Sequence, residues 1–200
     1  VLPMFIAMDP PKHDEQRKVV SPIVAPDNLA KMEGLIRERA GKILDGLPHN
    51  EEFNWVDRVS IELTTQMLAT LFDFPFEDRR KLTRWSDVAT ADLNSGLVES
   101  EEARQAEYFI GLWNERVNSE PGSDLISMLA HGESTRNTDK MEYLGNLILL
   151  IVGGNDTTRN SISGGVLALN QNPGEYKKLL ENPELIPNMV SEIIRWQTPL

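Results

Sequence analysis

Apolar positions recur at helical spacing over almost the whole chain. In APDNLAKMEGLIRERAGKILDGLP, Leu29, Met32, Ile36, Ala40, Ile43 and Leu47 stand three or four residues apart, which places them on one helix face. Asp27 is the predicted N-cap of that helix, with Gly46 and Pro48 at its stop. WVDRVSIELTTQMLATLFDFP puts Val56, Val59, Leu63, Met67 and Leu71 on a second apolar face, closed by Pro75. FEDRRKLTRWSDVAT and EEARQAEYFIGLWNERVNSE predict two further helices, with the Gly- and Ser-containing ADLNSGLVES between them as a mobile loop. A short helix and turn follow in PGSDLISMLAHGESTRNTDK. From about Met141 to Asn170 the pattern predicts one helix, roughly 45 Å long at 1.5 Å per residue. Two shorter helices, in NPGEYKKLLENP and IPNMVSEIIRWQTPL, are bounded by Pro173, Pro183, Pro187 and Pro199. With no strand alternation, internal repeat or low-complexity tract, the pattern predicts a mainly α fold, one domain, incomplete.

The long helix carries an anomaly in GGNDTTRNSI. Glycine in a helix interior costs up to about 1 kcal/mol relative to Ala, so Gly153 and Gly154 need a reason, and close approach of a flat partner is one. Thr157 lies four residues after Gly153. Its hydroxyl can therefore bond back to the Gly153 carbonyl, opening the helical ladder and bending the helix around a small polar notch. Asp156 stands beside it, and an acid next to a hydroxyl in an apolar wall suits proton delivery. The alternative is a helix-packing contact through small residues, with Asp156 solvated.

Composition narrows the classes of function. The 200 residues carry a formal net charge of −11, which repels phosphate backbones and anionic lipid surfaces, so a nucleic-acid role is not expected. There is no cysteine, hence no disulfide framework, thiolate zinc site or cysteine nucleophile within these residues. The apolar run around Leu147 is far shorter than the roughly 20 residues that span a bilayer. The opening VLPMFIAMDP and the closing RWQTPL read as cuts inside a longer protein.

Two more stretches combine charge with helical spacing. In SEIIRW, Glu192 and Arg195 are three apart and share a helix face, where such a pair is also a common surface salt bridge. In MDPPKHDEQRKVV, Asp9 is a predicted N-cap with prolines in the first turn, and His13 and Arg17 lie four apart on one face. Imidazole and guanidinium can both give charge-assisted bonds to a carboxylate, although a solvated polar face gives the same pattern.

Taken in order, these motifs resemble those of cytochrome P450 monooxygenases. Gly153, Gly154, Asn155, Asp156 and Thr157 match the family's oxygen-binding I helix, Glu192 and Arg195 its K helix, and Asp9, Pro10, Pro11, His13 and Arg17 the start of its C helix. The resemblance covers essentially the whole chain. It implies residues 1–200 to be an internal part of a single cytochrome P450 domain, helices C to K, lacking the N-terminal β-rich part and the C-terminal haem-thiolate loop. The wording of MDPPKHDEQRKVV and GGNDTTRNSISGG is similar to a soluble bacterial branch that hydroxylates medium-chain alkanes at the terminal carbon.

That resemblance implies a haem b cofactor with its iron, O2 as co-substrate, and NAD(P)H acting indirectly through a ferredoxin and its reductase, in a bacterial cytoplasmic enzyme. Gly153 and Gly154 would leave room beside the haem, Thr157 and Asp156 would deliver protons, and His13 and Arg17 would hold a propionate. Glu192 and Arg195 would be structural. Phe5, Leu93, Leu97, Val98, Leu149 and Val152 would line the substrate pocket, although core packing explains each of them equally well. Lys12, Arg17 and Lys18 form a local positive patch suited to an acidic ferredoxin, or a solvated face. The resemblance places the cysteine that binds the iron beyond Leu200, so no metal ligand is expected within these residues. Supplying no thiolate, they are expected to be inert by themselves. Other readings are in-chain hydroxylation of a terpene, steroid or fatty acid, and a non-catalytic helical binding protein that keeps the fold.

Overall fold

The computed structural model describes residues 3–90 and 98–199. Among them every regular element is helical: α1 (Lys12–Val20), α2 (Pro26–Asp45), α3 (Glu62–Leu71), α4 (Arg80–Thr90), α5 (Val98–Val117), α6 (Leu125–His131), α7 (Lys140–Gln171), α8 (Pro173–Glu181) and α9 (Ile186–Gln197). The mainly α expectation therefore holds. Of the expected loop, residues 91–97 lie outside the described residues, and α5 takes up the chain at Val98. Leu200, beyond which the cysteine ligand is expected, also lies outside them.

The long helix runs within a residue of its expected ends. Asp139 caps it, accepting from the Met141 and Glu142 amides at 2.8 and 2.9 Å. Its apolar first half forms the axis of the core, with α3, α4 and α5 packed around it. Leu147 and Ile151 are buried there with Phe72, Leu82, Phe109, Ile126 and Leu129. Trp85 of α4 and Phe109 of α5 meet edge to face at 4.9 Å, and Phe74 and Tyr108 extend the aromatic cluster. This packing fixes α4 against α7, which matters for the site below.

Three local expectations are corrected. Asp27 is not the cap of α2: Ala25 holds that position, Pro26 opens the helix, and Asp27 lies in its first turn. Asp9 does not cap α1, which starts at Lys12 after Pro11 with no side-chain cap; the Asp9 carbonyl instead accepts from the His13 amide at 3.2 Å. Of the second apolar stripe only Val59 is buried; on α3 the buried positions are Thr64, Thr65, Leu68 and Ala69, with Phe72 just after it, while Leu63, Met67 and Leu71 are half-buried and Val56 is exposed. A π-type turn over Val56–Ile61 precedes α3, and its wider winding shifts the phase of every later side chain. The displaced stripe turns towards α2, where Arg39 donates to the Gln66 carbonyl at 2.6 Å and approaches the Met67 sulfur.

Glu62, at the start of α3, gathers Gln66 at 2.8 Å, Arg79 at 2.8 and 2.9 Å, and Arg80 at 2.9 and 3.2 Å. Burial alone would raise its pKa, but these donors outweigh it and hold the carboxyl below its ordinary value of 4.5. A pKa depressed by folding gives stability that is complete above the unfolded value and is lost as pH falls through the folded one. Glu62→Gln is therefore expected to flatten the acid limb of the stability–pH curve, as read by denaturant titration below about pH 5. An acid limb as steep as that of wild type would refute it.

Candidate active site

The two glycines of α7 do different things. A Cβ on Gly154 would come within 2.8 Å of Leu68 Cδ2, so this glycine lets α3 pack closely on α7. A Cβ on Gly153 would meet nothing within 4 Å, leaving a bare backbone face open. Thr157 Oγ1 donates to the Gly153 carbonyl at 2.7 Å, as the spacing required. The helix is nevertheless one unbroken run from Lys140 to Gln171, so the bond forms without interrupting the helical ladder.

Asp156 is not a solvated acid. Its side chain is 17% exposed and pairs with Arg159 at 2.9 Å, one turn along the helix. Ser86 of α4 donates to Asp156 at 3.1 Å, and the neighbouring Asn155 amide reaches it at 3.3 Å. Arg159 also bridges Asp87 at 3.0 Å, and Asp87 is about half exposed. Asn155, fully buried, accepts from Thr64 of α3 at 3.1 Å. A carboxylate one residue before Thr157 is thus connected to the surface through a guanidinium. This arrangement can hold and pass protons. Ser86, Asn155 and Arg159 were not assigned a site role from sequence: Asn155 lies within the motif and Arg159 just after it, but nothing local marks Ser86.

At the other end of α7, the α1 motif is built into a buried polar chain. Lys12 Nζ donates to Glu142 Oε2 at 2.7 Å, and Gln16 Nε2 to Glu142 Oε1 at 2.5 Å. Asn146 Nδ2 donates to Gln16 Oε1 at 2.9 Å, and Asn146 Oδ1 accepts the Phe5 amide at 2.7 Å. The Phe5 carbonyl then accepts from His13 Nδ1 at 2.8 Å, with the two rings edge to face at 6.0 Å. Arg17 and Lys18 are exposed. Lys12 is committed to Glu142, so the expected positive patch is weaker than its sequence suggests. Gln16, Glu142 and Asn146 were also missed, and the available signal was an amide at Asn146 immediately before the apolar run of residues 147–152.

Glu192 and Arg195 do pair, through two bonds of 2.6 and 2.8 Å, with both side chains more than half exposed on α9. The Arg195 donors hold the Glu192 carboxyl below its ordinary value. Phe5 is buried in the core, whereas Leu149 and Val152 are half-buried on α7. Leu93 and Leu97 lie outside the described residues, as does the side chain of Val98. An apolar groove of about 460 Å³ opens at Thr157 between α7 and α9, walled by Ile162, Val166, Ile193 and Ile194.

These features decide whether the chain suits a haem. The open backbone face at Gly153 and the apolar groove starting at Thr157 suit the flat, apolar body of a porphyrin, and His13 offers an imidazole for a carboxylate. The axial thiolate is not among the residues from Val1 to Leu200, because none is cysteine. The residues present therefore fit the distal and propionate sides of such a group and do not include its iron ligand. No described helix is long and apolar enough to cross a membrane.

No protein-family model matches the chain. Among characterised proteins, it is 33% identical over 202 residues to the linalool 8-monooxygenase of Pseudomonas putida, covering 98% of this chain and 50% of that protein. Among solved structures, it resembles cytochrome P450-153 from Novosphingobium aromaticivorans, with a TM-score of 0.89, 48% identity, and coverage of 98% of this chain and 48% of that one. CYP153D17 from a Sphingomonas species gives a TM-score of 0.88 and 51% identity, over 98% and 50% of the two chains. The chain spans about half the length of the curated relatives it matches. The backbone is reproduced over almost all of its length at about half identity, and the Gly153–Thr157 motif sits mid-way along the longest helix. The chain belongs to the cytochrome P450 family.

Proposed function

We propose that this chain forms the oxygen side of a haem-thiolate monooxygenase acting on aliphatic substrates, specifically medium-chain n-alkanes at the terminal carbon. The observation that carries the reading is the meeting, within about one turn of α7, of a bare backbone at Gly153, the Thr157 hydroxyl and the tethered Asp156 carboxylate. Gly153 would lie against the haem, Gly154 being turned to Leu68 of α3, and His13 with Arg17 would hold a propionate. When bound, the haem supplies the activation of dioxygen, for which a cysteine thiolate is needed as axial ligand. The overall reaction places one oxygen atom in a C–H bond and releases the other as water, taking up two protons and two electrons. The protons would come through Asp156 and Thr157, and the electrons from NAD(P)H by way of a ferredoxin reductase and a ferredoxin.

An alkane offers no hydrogen bond, so selection of its end must come from shape, in which Leu149 and Val152 are the contributors assigned from α7. The alkane assignment rests on the resemblance of MDPPKHDEQRKVV and GGNDTTRNSISGG to that branch. The test is the carbon monoxide difference spectrum of the reduced protein that contains this chain, followed by product analysis with n-octane. A red-shifted Soret band and 1-octanol as main product are expected. A haem-loaded protein without that band would favour a binding protein that keeps the fold, and in-chain alcohols would overturn terminal selectivity. The 200 residues alone, given haem, are expected to show neither the band nor turnover.

A further inference from the structure

The buried chain joining α1 to α7 has a fixed direction. A carboxylate only accepts, so Glu142 obliges Gln16 to present its NH2 group, which leaves Gln16 Oε1 to accept from Asn146. Asn146 must then turn Oδ1 outward, where it receives the Phe5 amide. Lys12 anchors the far end on the second Glu142 oxygen. Neither amide can flip without leaving buried donors face to face, and Gln16 and Asn146 are both essentially fully buried. The Phe5 segment is held a second way, since a Cβ on Gly145 would overlap the Pro3 carbonyl oxygen. Two successive residues of α7 thus pin the strand of chain that passes over them.

The pinned segment ends at His13. The Phe5 carbonyl accepts from the Met8 amide at 3.1 Å and from His13 Nδ1 at 2.8 Å, which uses both its lone pairs. A carbonyl cannot donate, so Nδ1 carries a proton and Nε2 is the ring nitrogen left for a ligand. Only a ring that carries a proton on both nitrogens offers an N–H at Nε2. Ring orientation follows from the backbone of Phe5, and that backbone from Asn146.

We propose that Asn146 is a positioning residue for His13: by holding the Phe5 peptide, α7 sets the aim of the imidazole that would bind a haem propionate. The inference rests on the function proposed above and adds to it a link between the oxygen-side helix and the propionate side. Gln16 and Glu142 act through Asn146 by fixing which way its amide faces.

The test is the rate of haem transfer to excess apomyoglobin from the haem-loaded protein that contains this chain, which reads haem retention without turnover. His13→Ala and Asn146→Ala are each expected to speed haem loss about tenfold, the scale of one charge-assisted hydrogen bond. The double variant is expected to lose haem no faster than His13→Ala alone, because both act on one contact. Asn146→Asp, which keeps an acceptor for the Phe5 amide, is expected to retain haem better than Asn146→Ala, and it serves if the alanine variant fails to fold. Multiplying effects in the double variant, or unchanged haem loss in Asn146→Ala, would overturn the proposal while leaving the His13 contact standing. Unchanged loss in His13→Ala would instead remove the propionate role itself, and the proposal with it.

Discussion

Gly145→Ala is expected to destabilise the protein by about 3 kcal/mol, combining the strain of an overpacked contact with loss of the buried bonds that depend on it. The added Cβ would overlap backbone, the Pro3 carbonyl oxygen, which cannot swing aside as a flexible side chain can. The Pro3–Phe5 segment must lift from α7. That movement pulls the Phe5 amide from Asn146 and the Phe5 carbonyl from His13, so one methyl group disturbs two hydrogen bonds. Gly34→Ala and Gly111→Ala are the matched controls, because a Cβ at either helical position meets nothing within 4 Å. They are expected to gain roughly 0.5–1 kcal/mol through helix propensity and reduced freedom of the unfolded chain. Denaturant titrations of the three variants decide the matter. A Gly145→Ala protein as stable as the controls would show that the segment does not rest on α7 as described.

The second large effect concerns proton delivery. Asp156→Asn is expected to slow turnover on the order of a hundredfold, the lower range for loss of a general acid–base group. The substitution keeps an acceptor for Ser86, so α4 and α7 stay joined, but it removes the charge that pairs with Arg159. Arg159 would keep Asp87 as a partner, which limits the structural damage. Thr157→Ala is expected to act differently, letting NAD(P)H oxidation continue while hydrogen peroxide escapes and product yield falls. Thr157→Ser, which retains the hydroxyl and its bond to the Gly153 carbonyl, should preserve most of the yield. The measured quantity is product formed per NAD(P)H consumed. Equal coupling in wild type and Thr157→Ala would remove the assigned role of the hydroxyl.

The packing of α3 on α7 also explains why its glycine pair was ambiguous as sequence. Close packing and open space were alternatives, and each describes one glycine. Gly154 is the packing position, facing Leu68, while Gly153 faces open space. A two-residue motif cannot distinguish them, because which of two neighbouring positions on α7 faces α3 depends on the side of α7 on which α3 packs.

Whatever depends on neighbours along the chain was legible before any packing was known. Helix positions followed from apolar spacing, and α7 ended within a residue of expectation because its Asp139 cap and Asn172 boundary are local features. The bond from Thr157 to Gly153 was legible for the same reason: four residues of helix bring hydroxyl and carbonyl together wherever the helix lies. The pairing of Glu192 with Arg195 followed equally from spacing. Contacts that join distant segments were set by the three-dimensional packing alone. Asp156 meets Ser86 across 70 residues, and Gln16 and Asn146 meet across 130. Periodicity carries no information on such separations, since it reports which face is apolar but not which partner covers it. The burial that makes a lone amide expensive is itself a product of packing, and only there does Asn146 change from a polar interruption into the residue that holds Phe5.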